Sequence, residues 1–128
     1  FMEEPFNKNH FQELEKLDVA IVGLGLLDAI LPTTSDTWYN FAVEREELKK
    51  NVIGDICGRF IDENNQVANV DIQSRTISID LNNLKNIPYC IAVACGRKKK
   101  HIARAAIKGG FVNVLMTDEA LARALLED

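Results

Sequence analysis

Three short segments of the chain set glycine beside polar or charged residues: Gly23-Leu24-Gly25, Gly54-Asp55 and Gly96-Arg97-Lys98-Lys99. Glycine has no Cβ, so backbone N–H groups beside it can come close to an anion. The third segment also opens a run of helix-forming residues, and a helix start attracts phosphate through its free N–H groups and its dipole. Open parallel sheets bind ligands beyond the carboxyl ends of their strands. Three such segments at neighbouring strand ends describe a pocket for a small anion that carries hydroxyl groups. Each segment also has a plainer reading. Gly23 and Gly25 are no dinucleotide fingerprint, because Asp28 stands where a third glycine belongs; a tight turn at a strand end accounts for them more simply. Asp55 can serve as a hydrogen-bonded turn residue, and Arg97 to Lys100 as the solvated start of a helix. Asp62 and Asp118 read as turn and helix-start residues.

Catalytic patterns are missing from the sequence. It contains no G-x-S-x-G elbow, Walker loop or H-E-x-x-H, and no carboxylate pair is marked as a general acid and base. No catalytic residue is assigned. His10 and His101 stand apart, and Cys57, Cys90 and Cys95 form no C-x-x-C pair, so neither a metal nor a cofactor is expected. The thiols read as small apolar core residues. Their odd number, without a signal peptide, suggests the reducing cytoplasm.

Composition sets the frame. The chain has 128 residues, 47% hydrophobic and 27% charged, which is ordinary globular usage for one domain or part of one. The opening Phe1-Met2, with no start signal ahead of it, suggests an excised fragment. Net charge is −4, whereas a duplex-binding surface needs clustered Lys and Arg to displace phosphate counterions. The longest apolar run, Val19 to Leu27, is far too short to cross a bilayer.

The elements that must position these residues are legible in part. Asn9 to Leu17 reads as a short helix. Val19 to Val22 is a continuous apolar run, as in a strand covered on both faces, ended by Gly23 to Gly25. Leu26 to Tyr39 reads as a long loop and Glu44 to Lys50 as a helix. A turn at Gly54-Asp55 leads to a strand through Phe60 and Ile61, and Glu63 to Gln66 makes a turn in which Asn65 can be left-handed. Thr76 to Ile79 alternates like a half-buried strand, and Asp80 caps Leu81 to Leu84. Tyr89 to Cys95 is a second apolar strand. A helix from about Lys98 to Lys108 follows, with Ile102, Ala103, Ala106 and Ile107 inward and Gly109 as its stop. Phe111 to Leu115 is the next strand, and Thr117-Asp118 opens a last helix with Leu121, Ala122, Leu125 and Leu126 inward. Strand and helix alternate with short joints, which predicts an α/β fold with a parallel sheet and helices on both faces.

At these same residues the chain resembles a known family. Gly54-Asp55-Ile56-Cys57-Gly58-Arg59-Phe60-Ile61-Asp62 is similar to the G-D-I-x-G-x-F-x-D segment of SorC-type sugar-binding transcriptional regulators. Asp18 to Gly25 resembles the family's D-x-A-x-x-G-I-G, and Ala92 to Lys99 its A-x-A-G-G-x-x-K. Ala105 to Gly110 and Asn113 to Glu119 match A-A-L-x-G-G and N-V-L-I-T-D-E. The motifs keep the family's order from Asp18 to Leu126. The resemblance implies a fold like that of sugar-phosphate isomerases and deaminases. It makes residues 1–128 the C-terminal half of an effector-binding domain for a phosphorylated sugar, with the helix-turn-helix absent from this chain. Operator DNA is then met only through a separate N-terminal domain, no membrane is involved, and the parent protein is a homo-oligomer. By resemblance, Asp55 accepts hydrogen bonds from sugar hydroxyls, Lys99 reaches the phosphate or a hydroxyl, and Gly23, Gly25, Gly54 and Gly96 help to form the pocket. Two residues depart from the pattern: Cys95 replaces the first glycine of a pair, and Asn65 replaces a turn glycine. A sugar-phosphate isomerase or deaminase-type enzyme is the alternative function, and a purely structural or dimerisation domain a third.

Overall fold

The computed structural model describes residues 3–28 and 42–127. Five strands, β1 (Val19–Leu26), β2 (Gly54–Ile56), β3 (Arg59–Ile61), β4 (Tyr89–Ala94) and β5 (Val114–Thr117), form one sheet in the order β3-β2-β1-β4-β5. The centre is parallel: β1 pairs with β4, and β4 with β5. β2 and β3 are an antiparallel hairpin added to the far end of β1. Helices α1 (Pro5–Leu14), α2 (Ala42–Asn51), α3 (Leu81–Leu84), α4 (Lys100–Lys108) and α5 (Glu119–Leu126) accompany the sheet among the described residues. This is the expected α/β class. Parallel neighbours need long crossovers, and α4 supplies the one from β4 to β5. The loop expected from Leu26 to Tyr39 lies outside the described residues beyond position 28.

The core sits on one face of the sheet. Val22 and Leu24 of β1 and Cys90, Ala92 and Ala94 of β4 pack with Leu81 and Leu84 of α3, Ile102, Ala103, Ala105 and Ala106 of α4, and Leu121 of α5. Alanines on α4 let that helix approach the strands closely. Two inward assignments change: Ile107 is exposed while Ala105 is buried, and Leu126 is exposed while Ala124 is buried. α4 ends with Gly109 still right-handed, and Gly110 takes the positive φ of 73°. A smaller cluster joins Leu48 of α2 and Val52 just beyond it to Phe60 of β3, Ala68 and Val70.

The opposite face is different. Register pairs Val19 with Tyr89, Ile21 with Ile91 and Gly23 with Val93, then Ile91 with Val114 and Val93 with Met116. Cross-strand partners share a face, so these residues form one surface. The continuous apolar runs predict cover there, yet Ile21 is 71% exposed, Tyr89 60% and Met116 58%.

The chain does not turn at Gly54-Asp55; both residues lie within β2, and the reversal falls on Cys57 and Gly58, with φ of 54° and 75°. A two-residue hairpin loop with both φ positive matches the twist of its strands, and Gly58 adopts it without strain. Thr76 to Ile79 is not a strand. A 3-10 turn at Asp71–Arg75 precedes it, and among the described residues no strand pairs with it. Instead Arg59 donates to the carbonyls of Gln73 at 2.8 Å, Ser78 at 3.0 Å and Ile79 at 3.3 Å. A guanidinium stands in for a ladder.

Candidate functional site

A cleft of about 430 Å³ opens beside the end of β1. It is lined by β1 from Ile21 to Gly25, by Asp55, Cys57 and Gly58 of the hairpin, and by Lys99 from the 3-10 turn Arg97–Lys99. β1 continues through Gly23 and Gly25 to Leu26, so these glycines belong to a strand and not to a turn. Nothing occupies the space where a Cβ on Gly23 would project, which leaves the cleft open above it.

Asp55 is placed by two contacts. Its register partner is Gly25, and a Cβ on Gly25 would collide with the Asp55 carboxylate. The bare Cα therefore makes room for the carboxylate across β1. The Gly58 N–H donates to Asp55 Oδ2 at 3.0 Å. Burial raises the Asp55 carboxyl above its ordinary range, against the lowering influence of the Gly58 N–H and of Lys99. The Cys57 thiol is pushed up by burial and by the Asp55 charge, which disfavours the thiolate a nucleophile needs.

The cation of the site comes from the basic run. Arg97 pairs with Glu127 at 2.7 Å, and Lys100 donates to the Glu127 carbonyl at 2.8 Å. Lys99 forms no salt bridge with a described residue and is the member of the run that lines the cleft.

Four of the six residues singled out in the sequence thus meet in one cleft: Gly23, Gly25, Asp55 and Lys99. Gly54 and Gly96 do not line it. Gly54 points to the packed face, where a Cβ would meet Ile102 Cγ1 at 2.9 Å. The Gly96 N–H is occupied, donating to Asp118 Oδ1 at 3.0 Å. The same oxygen accepts the Leu121 N–H at 3.0 Å and caps α5, and these two N–H groups hold the Asp118 carboxyl below its usual range. Cys95 keeps a negative φ, and Gly96 alone takes the positive value of 91°, so replacing the pair's first glycine costs the backbone nothing. Asn65 sits at φ 63°, while Asp62 Oδ1 accepts from Asn64 N and Gln66 N at 2.9 Å, as a turn residue does. Ile21, Val22, Leu24, Cys57 and Gly58 also line the cleft and were not singled out in the sequence; the glycine between two apolar strand pieces was the available sign of the hairpin turn.

Among the described residues no group of three or more His, Cys, Asp or Glu side chains is placed to hold a metal ion, and no helix is long and apolar enough to cross a membrane. A family model described as "Putative sugar-binding domain" matches residues 1–127. The chain belongs to this family, that of the SorC-type regulators. The sorbitol operon regulator of Klebsiella pneumoniae is 32% identical over 127 residues, covering 92% of this chain and 39% of that protein. The solved structure of the full-length regulator superposes with a TM-score of 0.82 at 30% identity, covering 98% of this chain and 41% of that one. A transcriptional regulator from Streptococcus pneumoniae gives a TM-score of 0.82 at 30% identity, with 99% of this chain and 49% of that one covered. The sugar-binding family chain spans about two fifths to one half of these relatives. The family drawn from the motifs and the α/β fold are both borne out.

Proposed function

We propose that this chain is the C-terminal half of the effector-binding domain of a bacterial transcriptional regulator of carbohydrate metabolism, and that its cleft holds a phosphorylated sugar. The observation that carries the reading is the meeting of Asp55 and Lys99 in a single cleft of about 430 Å³, within the 300–1,000 Å³ usual for small-ligand sites. Asp55 accepts hydrogen bonds from sugar hydroxyls, and its half-enclosed position strengthens them. Lys99 supplies positive charge to the phosphate. Ile21 offers apolar contact to the ring carbons. Among the described lining residues Asp55 is the one carboxylate, so they offer no acid/base pair of the kind an isomerase or deaminase uses. DNA recognition belongs to a separate N-terminal domain, the regulator is a cytoplasmic homo-oligomer, and ligand occupancy reaches the DNA through its subunit contacts.

Calorimetric titration of the full-length regulator with hexose and pentose phosphates, and with the same sugars unphosphorylated, tests this. One phosphorylated sugar should bind and raise thermal stability, by about 2.7 kcal/mol at a concentration 100 times its Kd. Lys99→Ala should weaken that binding roughly tenfold or more, about 1.4 kcal/mol, with the circular dichroism spectrum unchanged. Failure of every phosphorylated sugar to bind, or equal affinity in the variant, would overturn the reading.

A further inference from the structure

We infer that Asp118 is a positioning residue: its carboxylate fixes the turn that carries Lys99 and so holds that cation at the cleft. The inference rests on the sugar-phosphate reading above and adds what sets its cation in place.

Parallel strands β4 and β5 stay paired as far as Ala94 and Thr117. Beyond them the chains part, one through Cys95 and Gly96 into the 3-10 turn Arg97–Lys99 and the other into α5. Backbone groups at such a fork lose their ladder partners and need others. Asp118 stands at the fork. Its Oδ1 accepts the Leu121 N–H at 3.0 Å, an ordinary helix cap. It also accepts the Gly96 N–H at 3.0 Å, which capping does not require. Gly96 passes the restraint on. Its carbonyl accepts the Lys99 N–H at 3.0 Å, so the Lys99 backbone is two hydrogen bonds away from the carboxylate. At φ 91° and ψ 139° Gly96 sits in backbone space that glycine enters and other residues avoid. Glycine has many other conformations open to it, so a fixed partner must select this one.

The neighbouring cations are held by weaker means. Arg97 pairs with Glu127 at 2.7 Å, but both side chains are more than half exposed, and exposed pairs add little. Lys100 donates to the Glu127 carbonyl at the surface. The two bonds to Asp118 are partly buried, and a carboxylate that accepts backbone N–H groups makes the stronger, charge-assisted kind. Asp118 does not line the cleft; it acts there through Gly96 and Lys99.

Two readouts on the full-length regulator test this. One is amide exchange at Gly96 and Lys99. The other is titration with inorganic phosphate, scored as the binding that Lys99→Ala removes. Asp118→Ser keeps a cap for α5, but its shorter arm cannot serve Leu121 and Gly96 together; Asp118→Thr takes its place should the serine variant misfold. Exchange at the two amides should rise about tenfold or more as the turn opens locally, and phosphate affinity should fall roughly tenfold. Asp118→Asn retains an acceptor oxygen and should stay within about threefold of the parent on both readouts. A serine variant that matches the parent in exchange, or that exchanges faster yet binds phosphate equally well, would overturn the inference. So would an asparagine variant as impaired as the serine one, which would assign the effect to charge. Failure of the sugar-phosphate reading looks different: the parent then shows no phosphate binding that depends on Lys99, while the exchange contrast persists and keeps Asp118 as the brace of the turn.

Discussion

Burial holds the Asp55 carboxyl above its ordinary range, and neither the Gly58 N–H nor Lys99 cancels that effect. The consequence for stability has a definite sign. A carboxyl whose folded pKa lies above its unfolded value, about 3.9 for Asp, contributes stability in full below that value. The contribution is lost as pH rises through the folded pKa. At neutral pH the ionised side chain therefore costs stability, the usual mark of a residue kept for binding. Asp55→Asn keeps an acceptor for the Gly58 N–H and removes the charge. Its denaturation midpoint should equal or exceed that of the parent at pH 7.5, and the difference should shrink as pH falls toward 4. A variant clearly less stable at pH 7.5 would show that the carboxylate is held for structure. Asp55 and Lys99 were legible because their residue types accompany family motifs. Gly54 and Gly96 stand in the same motifs, yet one makes room for Ile102 and the other donates to Asp118. A motif does not say which of its glycines faces solvent and which faces a helix.

Elements were legible where local periodicity and tertiary packing agree. α4 and β4 match their expected spans because an amphipathic stripe and an apolar run each have one good solution. The segment from Thr76 to Ile79 shows the limit: its alternation describes a half-buried extended chain, but pairing depends on whether another strand has a free edge, and none among the described residues pairs with it. Arg59, twenty residues away from Ile79, satisfies the carbonyls instead. The family segment around Gly54 to Asp62 thus does two jobs, with Asp55 facing the cleft and Arg59 anchoring the chain beyond it. Arg59→Ala should cost roughly 1–3 kcal/mol, the range for partly buried acceptors left without donors. Amide exchange should rise selectively between Gln73 and Asp80, with β4 unaffected. Unchanged exchange in that segment would mean that Arg59 is a passive neighbour.

For the molecule as a whole, net charge argues against duplex binding by this chain. Fifteen Lys and Arg stand against nineteen Asp and Glu, giving −4, and the densest basic run is largely engaged: Arg97 and Lys100 are held at Glu127, while Lys99 turns to the cleft. A protein that binds duplex DNA by neutralising several phosphates shows an affinity that falls steeply with salt, with a log–log slope near −0.9 per phosphate contacted. In this chain several cations are already engaged by carboxylates or carbonyls, among them Arg59, Arg97, Lys100 and Arg104. Fluorescence anisotropy with operator duplex at 50 mM salt should therefore show no binding by the 128-residue chain, against clear binding by the full-length regulator. Tight, salt-sensitive binding by the chain itself would place DNA contacts within the sugar-binding half and would require ligand and operator to act on the same surface.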